Sequence, residues 1–502
     1  MNKSSILLVL VCCRAQAETP PVVSTESGLV HGSATATVVS FKNIPYAAAP
    51  VGELRWRPPR RASSWEGERD ATIWGPRCAQ VDTSGIVSGA EDCLYLNVWA
   101  PAETGPGARP VMVWIHGGSL VRGTAMSSST DGERLADRTG AVVVSINYRL
   151  GPFGYLPHPL LAQESGTSGN YGLLDQIAAL EWVQRNIAAF GGDPHRVEIF
   201  GQSAGGFSVC ALIASPLSAN LFSSAVMMSG GCTARTWTDA VAAGRQFVAA
   251  AGCPNAGDTL SCLRHLNMES VLQALPPTTG YSVVVDGYAL TGVPEQVIAR
   301  GQHRPVPVIV GNTSEEEGGS GAGIRTAADY QNAILAVFPY PTALPVVLQQ
   351  YPLWEYATPQ DAYVAFASDL RYVCPARTAA RAFLAGQNDA VYRYVFSHVL
   401  DNAAPDVRAL GARHSADIPY IFDKLDSNGY QPSEDERRLA DAFARYFSAL
   451  AASGAIVDPG APLWPRYDDN DTFQWLDANI RPGTNYRKRQ CDFWDWLFTQ
   501  KP

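Results

Sequence analysis

Six short, predominantly apolar runs constrain the fold of this chain more than any other feature: Val111–Ile115, Ala141–Ile146, Val197–Phe200, Ala225–Met228, Val306–Val310 and Ala390–Tyr394. A strand that is apolar on both sides has to be covered on both faces. Helical patterns lie between several of these runs, and Leu173 to Ile187, with apolar residues three and four apart, is the clearest. Strands alternating with helices predict an α/β fold, a large and mostly parallel central sheet flanked by helices. Val22–Ser24, Leu29–Gly32 and Val38–Phe41 read as short strands of a small N-terminal sheet, and Leu94–Trp99 alternates as a further strand. Residues 235–300 and 325–375 read as helical cap insertions. No linker or repeat interrupts the pattern, so residues 18–502 are expected to form a single domain.

In open α/β sheets, reactive groups gather at the carboxyl ends of the strands. The third run leads straight into Gly201-Gln202-Ser203-Ala204-Gly205, and a small-residue, helix-compatible segment, Gly206 to Ile213, follows. A G-x-S-x-G between strand and helix is the sequence of a nucleophile elbow. The turn is so tight that side chains beside the serine would clash; Gly201 and Gly205 remove them. A serine hydroxyl is a weak nucleophile and needs a base, an orienting acid and donors for the developing oxyanion. His116-Gly117-Gly118-Ser119 follows the first run and offers backbone N–H groups unobstructed by side chains. Ala204, next to the serine, offers another.

The chain has eight histidines. His414, in a late loop-like segment, fits the order Ser…acid…His of α/β-hydrolases; His265, His303 and His398 also follow the serine. The fifth run ends in Glu315-Glu316-Glu317, a run that ordinarily marks a solvated loop. One buried member could hold the base in the required tautomer.

Net charge is −9, from 38 basic and 47 acidic residues, with no basic run to attract nucleic acid. Lys3, the apolar Ile6–Cys13 and Ala15-Gln16-Ala17 have the layout of a signal peptide cleaved after Ala17, which predicts a secreted or periplasmic protein. No later apolar run is long enough for a membrane span. Eight cysteines follow the leader, an even number that favours disulfides in an exported protein. No C-x-x-C or Cys/His cluster has zinc-site spacing, and neither a metal nor a cofactor is called for.

Several motifs together resemble the type-B carboxylesterases, the carboxylesterase/cholinesterase branch of the α/β-hydrolase fold, in a bacterial-type secreted form. They are Glu91-Asp92-Cys93-Leu94-Tyr95-Leu96-Asn97-Val98, Asn147-Tyr148-Arg149-Leu150-Gly151, Gly169-Asn170-Tyr171-Gly172-Leu173-Leu174-Asp175-Gln176, and the serine signature from Phe190 to Gly205. Ile44-Pro45-Tyr46-Ala47 and the Gly411–Tyr420 loop are also similar to family sequence. The resemblance implies hydrolysis of small-molecule carboxylic esters through an acyl-enzyme, with a catalytic triad of Ser203, Glu316 and His414. The distance from the strand-ending glycine selects Glu316, whereas the glycine that usually follows the acid would select Glu317; the strand-anchored distance is the one adopted. The implied oxyanion donors are the N–H groups of Gly118, Ser119 and Ala204.

Ser119 departs from the family's usual third glycine, and Gln202 stands where glutamate is common. Ser229 resembles a serine that supports the triad from behind. The resemblance pairs Cys78 with Cys93, Cys253 with Cys262 and Cys374 with Cys491, and leaves Cys210 and Cys232 as expected buried thiols. The segment Ala79 to Asp92 has no aromatic residue, so the cation-binding tryptophan of cholinesterases has no counterpart there. The same machinery could serve a lactonase, thioesterase or amidase, and some relatives are non-catalytic binding modules.

Overall fold

The computed structural model describes residues 20–500 apart from 104, 106, 255, 256, 277 and 278. The expected signal peptide lies outside the described residues. Among these residues an eleven-stranded sheet forms the centre. From one edge its strands are Arg481–Gly483, Phe473–Leu476, Val391–Phe396, Val308–Thr313, Ser224–Met228, Gly192–Gln202, Arg109–Ile115, Val142–Ile146, Tyr95–Pro101, Val38–Pro45 and Ser33–Ala34. The seven consecutive strands from Phe473–Leu476 to Val142–Ile146 pair in parallel, and both flanks are antiparallel. All six apolar runs of the sequence fall on strands of this parallel block.

Side chains alternate between the two faces of the sheet. Val111, Val113, Ile115, Val197 and Ile199 enter the core beneath helices Tyr171–Asn186, Ala204–Ala214 and Cys374–Gly386. Met112, Trp114, Phe200 and Val226 enter the opposite core, closed by Glu133–Thr139 and the long helix Glu434–Ser453. That helix starts from a reciprocal Ser433/Glu436 capping box and stops at Gly454, whose φ of 73° suits the left-handed cap. The cap helices Ala327–Val337, Leu344–Gln350 and Pro359–Ser368 pack with the C-terminal helix Lys488–Thr499 around Phe366 and Trp494.

Two expectations need correction, and two strands were not expected. Val38–Pro45 joins the main sheet, because it pairs with Tyr95–Pro101; the small N-terminal sheet is Val22–Thr25, Gly28–His31 and Glu68–Asp70. The edge strand Arg481–Gly483 and its neighbour Phe473–Leu476 gave no sequence signal, being three and four residues long. Cys210 and Cys232 are not thiols but form a disulfide, Cα–Cα 5.4 Å. The strand-to-loop turn at Met228-Ser229-Gly230 brings Cys232 back to the helix that carries Cys210, a tertiary proximity that spacing does not reveal. The other three pairs are those the family implies.

Candidate active site

Ser203 occupies the turn between strand Gly192–Gln202 and helix Ala204–Ala214, with φ 59° and ψ −125°. A non-glycine residue there carries strain of about 1–3 kcal/mol, which the surrounding packing has to hold. The glycines explain how. A Cβ on Gly205 would stand 2.0 Å from the Ile115 carbonyl oxygen, and one on Gly201 2.7 Å from the Gly205 backbone. The elbow therefore rests directly on the end of the neighbouring strand. It is also tied to the strand on its other side, since Ser203 N–H donates to Met228 O at 2.9 Å.

The His116–Ser119 loop lies against the same turn. A Cβ on Gly117 would be 2.6 Å from Gln202 O and 3.0 Å from Ser203 Cβ. Gly118 has φ 113° and Ser119 φ 58°. His116 holds the loop from behind: its ring stacks on Tyr148 at 4.4 Å, and Nδ1–H donates to Gly117 O at 2.9 Å. Burial pulls its pKa down to about 4, so it is a neutral scaffold. The N–H groups of Gly118, Ser119 and Ala204 meet no protein acceptor among the described residues. That of Ala204 opens a helix, where the first N–H groups have no intrahelical partner.

Glu315, Glu316 and Glu317 follow the strand Val308–Thr313, and each has a different partner. Glu315 accepts from Ala412 N–H at 3.0 Å and from Ser314 Oγ. Glu316, 2% exposed, accepts from His414 Nδ1 at 2.5 Å with one oxygen and from Thr313 N–H at 2.7 Å with the other. Glu317 turns away, pairs with Arg371 at 2.8 Å and accepts from Ser320 Oγ. Burial pushes the Glu317 carboxyl up, but the Ser320 and Arg371 bonds outweigh it and hold it below the ordinary glutamate range. The two loops are also zipped by their backbones, His414 N–H to Glu316 O at 3.0 Å and Glu315 N–H to Ala412 O at 3.2 Å.

With Nδ1–H committed to a carboxylate, His414 presents a bare Nε2 towards the elbow. Burial opposes a charge on this ring. The Glu316 hydrogen bond and charge, with Asp417 and Glu317, prevail and hold its pKa above the ordinary imidazole value. The Gln202 amide donates to Nε2 at 3.1 Å. Tyr372 lies tilted over the ring, centroids 4.4 Å apart, and its hydroxyl interacts with the Ser203 side chain. Ser203 and His414 thus face one another through Gln202 and Tyr372, and make no direct hydrogen bond in this state.

Sequence reasoning missed Tyr372 and Arg371. Both sit in a π-helical turn, Asp369–Val373, between two α-helices. Such turns often occur at functional sites, but a tyrosine at helical spacing reads as core in a single sequence. Asp417, fully buried, accepts from Tyr394 OH at 2.8 Å; burial above all, helped by Glu316, raises its pKa to about 6. Ser229 Oγ, the expected support of the triad, is buried without a protein hydrogen-bond partner. A cavity of about 920 Å³ opens beside His414, bounded by Tyr372, His398, Tyr420 and Tyr430; Ser203 is not in its wall.

Of the other shared motifs, Tyr148 supports the His116 loop, its OH donating to His116 O at 2.6 Å, and charged members form buried or half-buried side-chain pairs. Arg149 and Asp175 form a buried two-pronged pair at 2.8 and 2.7 Å, and Glu91 grips Arg55 the same way at 2.5 and 2.7 Å.

A serine at a strained strand–helix turn, on a parallel sheet with a carboxylate–histidine pair beside it, defines an α/β-hydrolase. The carboxylesterase family model matches residues 19–494, and the chain belongs to that family. Similar proteins include the human cocaine esterase, 33% identical over 99% of this chain and 95% of that protein. The fumonisin B1 esterase of Sphingopyxis macrogoltabida is 33% identical over 93% of this chain and 89% of its own length. The rat liver carboxylesterase B-1 is 31% identical over 99% and 97%. The protein is a carboxylic-ester hydrolase.

Proposed function

We propose that this hydrolase works through an acyl-enzyme formed on Ser203. His414 takes the serine proton as Oγ attacks the ester carbonyl, then returns it to the leaving alcohol. Glu316 keeps the imidazole in the tautomer with Nε2 free and stabilises the imidazolium that forms. The oxyanion of the tetrahedral intermediate is held by the N–H groups of Gly118, Ser119 and Ala204. Water, deprotonated by His414, then releases the acid. The observation that carries this reading is the 2.5 Å contact between buried Glu316 and His414 Nδ1, on loops zipped to each other beside the elbow.

To attack, Ser203 exchanges its Tyr372 contact for His414 Nε2, and Gln202 yields that position. Hydrogen bonds between catalytic groups are often incomplete without substrate and tighten in the complex. Residues 18–502 act as a single domain in this reading. The protein is exported: four disulfides among the described residues suit an oxidising compartment. No helix among the described residues is long and apolar enough to cross a membrane.

The test is a serine-directed phosphonate with peptide mapping, alongside Ser203→Ala. The proposal expects one adduct, on the Ser203 peptide, and a fall in kcat/KM of roughly 10⁵- to 10⁶-fold on a nitrophenyl ester. An adduct elsewhere, or retained activity in Ser203→Ala, overturns it.

A further inference from the structure

His398, Asp401 and Glu436 converge at one point although they lie on two separate segments, the loop after strand Val391–Phe396 and the first turn of helix Glu434–Ser453. His398 is 6% exposed, and its Nε2 is buried without a hydrogen-bond partner. It points at two carboxylate oxygens, Glu436 Oε1 at 3.5 Å and Asp401 Oδ1 at 4.0 Å, and all three atoms lie within 4.8 Å of one another. Zinc bound through nitrogen at about 2.0–2.1 Å and oxygen at about 2.0–2.2 Å has ligand atoms roughly 3.4 Å apart in a tetrahedron. The two separations from the histidine nitrogen are therefore close to zinc spacing before any adjustment, and the third is within 4.8 Å.

The surroundings are those of a metal histidine. His398 Nδ1 donates to Asp477 Oδ1 at 2.8 Å, which fixes the tautomer with Nε2 free, and Ser397 Oγ holds the other Asp477 oxygen at 3.0 Å. A carboxylate behind a ligating imidazole both orients it and makes it a stronger donor. Asp401 is oriented by Ser433 Oγ at 2.6 Å. Glu436 Oε1 accepts from Asp401 N–H at 3.1 Å and from Tyr430 OH at 2.8 Å, with Tyr420 OH at 3.5 Å; Oε2 accepts from Ser433 N–H at 2.7 Å. Tyr430 OH also reaches Oε2 at 3.0 Å, so it can move there and leave Oε1 to an ion.

We propose that His398, Asp401 and Glu436 bind a divalent transition-metal ion, zinc foremost. One imidazole and two carboxylates neutralise a 2+ charge, and nitrogen in the donor set favours zinc over magnesium or calcium. Three protein ligands leave a fourth position for water. His398, Asn402 and Tyr430 belong to the wall of the cavity beside His414. The ion therefore clamps that wall to the long helix and to the end of strand Phe473–Leu476, and its role is to stiffen the wall. The proposal is independent of the roles given to Ser203, Glu316 and His414.

The experiment uses the full-length protein, stripped with a chelator and titrated with zinc chloride by calorimetry, with melting curves and zinc-edge X-ray absorption on the product. One zinc per chain is expected, with a rise in Tm and a shell of one histidine nitrogen and oxygen donors without sulfur. Asp401 is exposed, so Asp401→Asn keeps the fold, checked by circular dichroism, and loses tight binding. Asp477→Asn weakens it about ten- to a hundredfold, whereas His414→Gln binds as the parent does. The proposal is overturned if zinc fails to bind, which leaves a proton as the sole occupant, if Asp401→Asn binds it undiminished, or if binding disappears in His414→Gln.

Discussion

The serine elbow and the acidic loop stand a few residues from each other in space, yet they are built by opposite means. The elbow is made by what is missing. Gly201 and Gly205 leave no Cβ where Ile115 O and the Gly205 backbone already lie, and Gly117 leaves room for Ser203 itself. The acidic loop is made by what is present: three adjacent glutamates, chemically identical, divided among Ala412, His414 and Arg371. Steric exclusion leaves its mark on the sequence as a glycine at a fixed place. A choice among identical carboxylates is made by whichever partner the tertiary structure brings near, and no residue type marks it; only its distance from the strand does.

The largest effect that sharpens this comparison is expected at Gly205. Gly205→Ala forces a methyl to 2.0 Å from a strand carbonyl that cannot swing away. Stability should fall by about 3 kcal/mol and activity should be lost, measured by thermal unfolding and ester turnover. A variant of native stability and rate would mean that the elbow does not rest on Ile115.

On the acidic side, Glu315→Gln keeps the length of the side chain but weakens the hold on Ala412 N–H, two residues before the base. A loss of about tenfold in kcat, with KM little changed, is expected, because charged acceptors bind N–H groups roughly twice as strongly as neutral ones. An unchanged kcat would show that the backbone zipper alone fixes the His414 loop.

The last effect is one of stability, not of activity. Burial raises the folded-state pKa of Asp417 to about 6 from an ordinary 3.8. A raised acid pKa gives a contribution that is complete below pH 3.8 and is lost as pH rises through 6. Asp417→Asn has no such dependence. Relative to the parent it should gain up to about 3 kcal/mol between pH 4 and 8, read from denaturant unfolding at each pH. Parallel stability curves would mean that Asp417 is not held neutral by burial.

The same contrast explains what could be read in advance. The parallel strands were legible because strands covered on both faces, such as Val142–Ile146, are written in continuous apolar residues. The elbow and the Gly117–Gly118 turn were legible because only glycine fits there. The partner of Glu317 was not, since Arg371 comes from a π-helical turn some fifty residues later in the chain. The family's usual glycine after the acid pointed to Glu317; the strand-anchored distance pointed to Glu316, the one that touches His414. Tyr372 and the Cys210–Cys232 bond escaped for the same reason, as contacts between segments with no shared spacing. Gln202 was noticed as a departure, but its bond to His414 Nε2 needed the fold.

The most direct test of the account is kcat/KM against pH for Glu316→Gln and Glu317→Gln side by side. In the proposed mechanism the base has to be neutral, so activity should rise with pH through the His414 pKa, which Glu316 holds above the ordinary imidazole value. The account predicts that Glu316→Gln lowers kcat about 10³- to 10⁴-fold and moves the residual limb to lower pH. Glu317→Gln should cost less than about tenfold and leave the limb nearly in place. If Glu317→Gln suffers the large loss and Glu316→Gln does not, the assignment of the acid is wrong.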